Sequence, residues 1–357
     1  MCDRIERLRS TFDQHGLEAM LVTNPINMRY LCGFTGDVGL LLISDEDTVL
    51  AVDPRYTEQA KREVGSARVV ETREAWADAL AALAADCRLR AVGVESDYVT
   101  VDQWNTWRDR LGSATELVPV CGLVARLRTV KSPAEIDRLT AAVALTDEAL
   151  AAARDWLRPG VTEAEVAWFI EVYIRTHGGE AMAFDPVVGA GPNGAMAHAR
   201  PGPRPLAPGE PVVIDIGARV DGYCGDLTRT LCLGAPDERF REIYDIVLAA
   251  QKAAEAGIRP GMTGKEADAL ARDVITSAGF GEAFGHGLGH GVGLAIHEDP
   301  RLSSRSADIL EPGNVVTVEP GIYVEGWGGV RIEDVVMLTE SGIEILTRSV
   351  KDPYLCA

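Results

Sequence analysis

Long apolar runs are missing from this 357-residue chain. None approaches the ~20 consecutive apolar residues that a membrane-spanning helix requires. The opening residues, Met1-Cys2-Asp3-Arg4-Ile5-Glu6-Arg7, are charged, and no apolar stretch with a cleavage site follows them. A secretory signal is therefore not expected, and a cytoplasmic location with no membrane partner is. Paired cysteines are missing too. The seven stand at 2, 32, 87, 121, 224, 232 and 356, an odd count with no CxxC spacing. That pattern favours free thiols in a reducing compartment over a disulfide framework or a cysteine-ligated zinc. Basic residues are scarce: 35 against 54 acidic ones, for a net charge of −19. Nucleic-acid binding, which needs clustered Lys and Arg, is not expected. What is present is ordinary for a soluble globular protein, 46% hydrophobic and 25% charged, at a length that suits two domains.

Residues 1 to about 125 alternate between helix and strand signals. An amphipathic helix runs to Gly16, and a strand at Ala19–Thr23 is closed by Asn24-Pro25. Gly39–Ser44 and Thr48–Val52 form a hairpin around Asp45-Glu46-Asp47. Helical stretches near 55–64, 74–86 and 101–111 alternate with the apolar runs Ala67–Val70 and Ala91–Val94. This is an α/β domain, placed at 1–128. A second domain, 129–357, opens at Lys131-Ser132-Pro133-Ala134-Glu135. Ser132 reads as an N-cap, Pro133 as N1 and Glu135 as the partner in a capping box, with a helix running to about Leu157.

The second domain contains an internal repeat. Arg158-Pro159-Gly160-Val161-Thr162, with Glu165, matches Arg259-Pro260-Gly261-Met262-Thr263, with Glu266, 101 residues later. Leu206-Ala207-Pro208-Gly209 matches Leu310-Glu311-Pro312-Gly313, 104 residues later. Nine residues after each leucine comes an acid, Asp215 in one copy and Glu319 in the other. Two copies of one α+β unit related by a pseudo-two-fold axis would bring these acids together.

Each acid interrupts an apolar run, where an isolated charge is costly unless paired or metal-bound. Asp215 lies in Val212-Val213-Ile214-Asp215-Ile216-Gly217, and Asp226 follows eleven residues later, beyond a hairpin turn at Ala218–Gly222. Glu319 and Glu333 repeat the arrangement in the second copy. Four converging carboxylates call for two divalent cations. Three of the six histidines, His286, His290 and His297, stand in a glycine-rich stretch, where the backbone can approach a site closely. His198 lies in another Gly/Pro-rich loop. His15 and His177 fall near helix ends and read as structural. The GxGxxG at Gly189–Gly194 is followed by Pro201, Pro203, Pro205 and Pro208, which excludes the helix a dinucleotide site needs. His297-Glu298 begins an HExxH string, but Arg301 stands where the second histidine belongs.

This order of Asp, Asp, His, Glu, Glu resembles the pita-bread metallopeptidases: methionine aminopeptidase, prolidase and aminopeptidase P. The likeness covers roughly 131–350. The preceding residues resemble the creatinase-type N-terminal domain of the proline-specific branch. The resemblance implies that Asp215 chelates one metal, that Asp226 and Glu333 bridge both, and that His290 and Glu319 complete the set. It implies Mn²⁺, with Co²⁺ or Zn²⁺ as alternatives, and activation of a shared water. Glu319 would accept the proton. His198 and His297 would face the substrate, His286 would line the proline side and Arg331 would support the ligands. The expected substrates are peptides with proline in second position, and the expected assembly is a homodimer.

The branch turns on smaller signals. Gly33-Phe34-Thr35-Gly36 and Asp53–Ala60 resemble bacterial aminopeptidase P, although the stretch reads equally as a plain strand-to-helix connection. His297-Glu298-Asp299-Pro300-Arg301 resembles prolidases, where an arginine holds a dipeptide's free carboxylate; Arg301 reads equally as a solvated loop charge. The expectation is an Xaa-Pro aminopeptidase, with Xaa-Pro dipeptidase (prolidase) as the alternative. A creatinase and a non-catalytic binding protein of the same fold are more remote, because no ligand position is lost.

Overall fold

The first apolar run folds as β1 (Ala19–Val22), buried along its whole length. The computed structural model describes residues 2–355, which leaves Cys356 and the side chain of Cys2 outside. Around β1 are laid β2 (Leu40–Ser44), β3 (Thr48–Val52), β4 (Arg68–Glu71), β5 (Ala91–Glu95) and β6 (Glu116–Val120), in the order β4-β3-β2-β1-β5-β6. β1, β2 and β3 are antiparallel neighbours, and the outer pairings are parallel. The helices are α1 (Cys2–Arg9), α2 (Phe12–His15), α3 (Pro25–Cys32), α4 (Thr57–Glu63), α5 (Trp76–Asp86), α6 (Val101–Leu111) and α7 (Leu123–Thr129).

Two details depart from expectation. The opening helix breaks into α1 and α2, and Gly16 closes the second at φ 64°. Asn24-Pro25 does not merely end a strand: Asn24 accepts from the Ile26 N–H at 3.0 Å, and Pro25 begins α3. Proline loses nothing at the first helical position, since its N–H would have no partner there.

The chain divides into two compact units, Met1–Arg128 and Thr129–Ala357. In the second, α8 (Pro133–Trp156) and α9 (Glu163–Thr176) precede β7 (Ala181–Met182), β8 (Val187–Ala190), β9 (Pro211–Ile216), β10 (Ala218–Val220), β11 (Tyr223–Cys224) and β12 (Leu227–Leu233). The second copy runs α10 (Glu238–Gly257), α11 (Gly264–Ser277), β13 (Gly289–Gly291), β14 (Glu298–Leu302), β15 (Val315–Val318), β16 (Gly321–Val324), β17 (Gly328–Arg331) and β18 (Asp334–Leu338), then β19 (Ile343–Ile345) and β20 (Tyr354–Leu355). β8, β9 and β12 are neighbours in one sheet; β13, β15 and β18 are their counterparts in another.

The repeat extends to single hydrogen bonds. Gly160 N–H donates to Leu206 O at 2.9 Å and Gly261 N–H to Leu310 O at 2.8 Å. Thr162 bridges Pro205 as Thr263 bridges Ile309. Each threonine caps the helix that follows through a capping box with Glu165 or Glu266, and such a cap is worth ~1 kcal/mol.

Alternation along the strands decides which side chains reach the site. Val212, Ile214 and Ile216 of β9 pack into one core with α8 and α9, which turns Val213 and Asp215 to the opposite face. Val316 and Val318 of β15 pack into the other core with α10 and α11, which turns Thr317 and Glu319 away from it. Burying each such valine or isoleucine contributes ~1.5–3 kcal/mol. The register that seats the core is therefore also the register that aims the acids.

Candidate metal centre and cleft

Asp226 immediately precedes β12, which pairs with β9 so that Thr228 lies opposite Asp215. Gly289 and Gly291 flank His290 in β13, squeezed between β14 and β15. A side chain at Gly289 would collide with the Thr317 carbonyl, and one at Gly291 with that of Asp299. The close approach of three backbones thus requires those glycines. Ligand atoms of Asp226, His290 and Glu333 all lie within 4.8 Å of one another, buried. His290 Nε2 is 3.6 Å from Asp226 Oδ2 and 3.3 Å from Glu319 Oε1. Its Nδ1 faces Gly291 O at 3.0 Å, which leaves Nε2 as the nitrogen aimed at the carboxylates.

Burial pushes the carboxyls of Asp226 and Glu333 well above their usual range, and the neighbouring carboxylates push them further. Asp215 is raised by burial, against the pull of Arg331. Burial acts on Glu319 in the same sense, but the hydrogen bond and charge of His290 outweigh it and bring that group to about 2. Four acids at one point are therefore in electrostatic conflict. Asp215 Oδ1 is buried without a hydrogen-bond partner among the described residues. Carboxylate oxygens plus one imidazole nitrogen form a donor set that suits divalent first-row cations. On these observations the residues present fit a pair of metal ions.

Arg331 holds the cluster from behind. Its Nη2 donates to Asp215 Oδ2 at 2.6 Å, Nε to Thr228 Oγ1 at 3.0 Å, and Nη1 to Tyr323 Oη at 2.7 Å. Thr228 Oγ1 in turn donates to Glu333 Oε2 at 2.7 Å, and Thr317 Oγ1 lies 3.1 Å from Glu319 Oε1.

The acids floor a cleft of about 940 Å³ whose walls include His198, His286, His297, Arg301 and Arg331. All ten site residues expected from the sequence, the four acids and His290 among them, line this cleft; His15 and His177 do not. His286 is held on both nitrogens, by Gly287 O at 2.8 Å and by Tyr323 Oη at 2.9 Å. Burial lowers its pKa, so at neutral pH it offers the cleft a ring face rather than a charge. His297 is exposed, meets His290 edge-to-face at 4.4 Å, and is also lowered by burial first and by His290 second. Arg301 is exposed, and its partner Asp299 is 4.0 Å away. The GxGxxG stretch forms a short 3-10 turn, Gly191–Ala195, with no α-helix after it.

A family model described as "Metallopeptidase family M24" matches residues 137–340, and one described as "Creatinase/Prolidase N-terminal domain" matches residues 4–130. The chain belongs to metallopeptidase family M24. Its fold is accordingly a creatinase-type N-terminal domain followed along the chain by a pita-bread domain, and family M24 is one of dinuclear metal enzymes. Among solved M24 structures, the Xaa-Pro dipeptidase from Bacillus anthracis superposes with a TM-score of 0.96 at 40% identity, covering 100% of this chain and 99% of that one. The X-Pro aminopeptidase from Thermotoga maritima gives 0.90 at 34% identity, covering 98% and 100%. The curated Xaa-Pro dipeptidase of Pyrococcus furiosus is 34% identical, with 99% of each chain covered. No helix among the described residues is long and apolar enough to cross a membrane.

Several residues that shape this M24 site escaped the sequence reading. Tyr323, which links Arg331 to His286, sits in a strand with no polar pattern. Thr228 was legible in principle, two residues after Asp226 and hence on the same face. Glu163 lies between Thr162 and Glu165, the two ends of a capping box, and is fully buried. It accepts from Ala190 N and Asn193 Nδ2 at 2.9 Å and from Gly202 N at 3.1 Å, which ties down the loop bearing His198. Asp268, paired with Arg272 at 2.6 Å, accepts from Leu288 N at 2.9 Å, while Arg272 donates to Phe284 O and His286 O. That pair does the same for the loop bearing His286.

Proposed function

We propose that this protein is a two-metal Xaa-Pro dipeptidase, a prolidase. The observation that carries this is full-length likeness to the Bacillus anthracis dipeptidase at 40% identity, supported by the Pyrococcus furiosus enzyme. The aminopeptidase preferred from sequence becomes the second reading. The Thermotoga maritima aminopeptidase favours it, as does a cleft of about 940 Å³, which is roomy for a dipeptide.

In this reading Asp215, Asp226, His290, Glu319 and Glu333 hold the ions, proposed as Mn²⁺ with Co²⁺ or Zn²⁺ as alternatives. Bound there, the ions supply Lewis-acid activation of a water and of the scissile carbonyl. Glu319 takes the proton the attacking water loses. His297 and His198 donate hydrogen bonds to the developing oxyanion and the substrate backbone. The neutral ring of His286 packs on proline, whose imide has no N–H to satisfy. Arg301 receives the free carboxylate of a dipeptide. A homodimer in the cytoplasm is proposed from the same resemblance.

The test is direct. Metal-stripped protein is reloaded with Mn²⁺ and offered Xaa-Pro and Xaa-Pro-Yaa peptides separately. Metal-dependent release of proline from the dipeptide, with little action on the tripeptide, is expected. Cleavage of the tripeptide alone establishes the aminopeptidase, and cleavage of neither removes the peptidase reading.

A further inference from the structure

The loop carrying His297 is secured by the residue that follows the histidine. The His297 ring makes no hydrogen bond to another described residue; its position is set by its backbone and its contact with His290. The backbone is fixed by the next residue. His297 is exposed and Glu298 buried, as alternation at the start of β14 requires. Glu298 Oε1 accepts from Ala295 N–H at 2.9 Å, closing the turn that ends in His297. Glu298 Oε2 lies 3.5 Å from Lys131 Nζ, and the two side chains are 5% and 1% exposed.

Neither partner has room to move. A Cβ at Gly293 would come within 2.8 Å of Glu298 Oε2, so the carboxylate lies directly against that backbone. Gly293 is itself fixed, donating to Ala295 O at 3.0 Å and accepting from Cys224 N at 2.8 Å, two residues before Asp226. Lys131 is anchored by its N–H to Gly313 O at 2.9 Å and by Nζ to Thr129 O at 3.3 Å. Charges so thoroughly removed from water gain little net stability from pairing, and an apolar pair of the same shape would often serve as well. What a buried pair adds is direction. Glu163 and the Asp268–Arg272 pair secure the other two histidine loops in the same manner, with acids outside the metal cluster.

We propose that Glu298 and Lys131 are positioning residues for His297. Their ion pair sets the stance of its imidazole over the metal cluster, so that its N–H meets the oxyanion in the transition state. The catalytic part of this rests on the peptidase reading above; the placement of the ring does not.

Lys131→Met and Glu298→Gln each remove one charge, and each single variant breaks the ion pair while leaving the other charge buried. The double variant removes both charges of the pair together and keeps the acceptor for Ala295, so it guards against simple misfolding. The first readout is the side-chain NMR signal of His297 in metal-free full-length protein, assigned with His297→Gln. A shift or broadening in the double variant, with His15 and His177 unmoved, is expected. The second is kcat and KM for an Xaa-Pro dipeptide in Mn²⁺-loaded protein, with Mn²⁺ affinity measured by calorimetry. About a tenfold or greater fall in kcat, with KM and Mn²⁺ affinity within about threefold of wild type, is expected. The effects of the two single variants should fail to add. An unmoved His297 signal overturns the proposal, as does kcat within about twofold of wild type. A loss of Mn²⁺ affinity matching the loss of kcat also overturns it, since the pair would then serve the metals. Should the wild-type protein cleave no Xaa-Pro peptide, the functional reading fails, and the NMR signal alone decides the positioning.

Discussion

Arg331 donates to Asp215 across the seam between the two repeat copies, Nη2 to Oδ2 at 2.6 Å. The same guanidinium reaches Thr228, Tyr323 and Ala197 O, so one planar group serves four acceptors. A lysine ammonium on a flexible stem cannot reproduce that fork. Arg331→Lys should therefore lower metal affinity or kcat/KM by about 10–100-fold with the circular dichroism unchanged. Calorimetric metal titration checks it, and wild-type affinity and turnover in the variant would remove the role.

Glu333→Gln tests the electrostatic conflict itself. In the metal-free chain, burial and neighbouring carboxylates raise the pKa of Asp226 and Glu333. A raised acid keeps its proton in the folded state after the unfolded chain has lost it, so stability falls as pH rises above the ordinary carboxylate range. Replacing one acid should raise the melting temperature of the stripped protein at pH 7 by ~1–2 °C and shrink the gain on adding Mn²⁺. Thermal melts with and without chelator give both numbers.

Arg301→Ala separates the two peptidase readings. If Arg301 receives the carboxylate of a dipeptide, KM for Xaa-Pro should rise about tenfold or more, while any cleavage of Xaa-Pro-Yaa stays near wild type. Equal effects on both substrates would make Arg301 a general electrostatic contributor.

Glu255 offers a pH prediction away from the metals. Lys351 Nζ lies 2.9 Å from Glu255 and 2.6 Å from Asp334, and Arg229 Nη2 is 2.7 Å from Asp334. Burial raises Glu255 to about 7, with Asp334 adding to the effect against Lys351. Its contribution to stability is greatest below pH ~4.5 and is lost as pH rises towards 7. The full span amounts to at most ~3 kcal/mol. Glu255→Gln should flatten denaturation midpoints across this window, and an unchanged slope would contradict the assignment.

Asp215 and Glu319 were legible because chemistry and packing share one code along their strands, and His290 because it stands among glycines. A charge inside Val212–Ile216 or directly after Val315–Val318 is conspicuous, and alternation dictates its face. The repeat was legible because Pro-Gly turns and capping boxes are local signals. Asn24-Pro25 misled because the dipeptide that closes a strand also opens a helix. Glu298 was passed over as a failed HExxH because its partner, Lys131, lies 167 residues away. Tyr323 earns its place from His286, 37 residues distant, and no periodicity encodes such a meeting.

The matched bridges at Thr162–Pro205 and Thr263–Ile309 make the centre resemble the interface of a symmetric dimer enclosed within a single chain. In a true homodimer every substitution would appear twice, on both sides of the axis. Here the halves differ. The first brings Asp215 and Asp226 to the seam; the second brings Glu319 and Glu333 together with His290 and Arg331. Within one chain the two halves need not be identical, so each side of the candidate metal centre is open to adjustment without a twin change in the other.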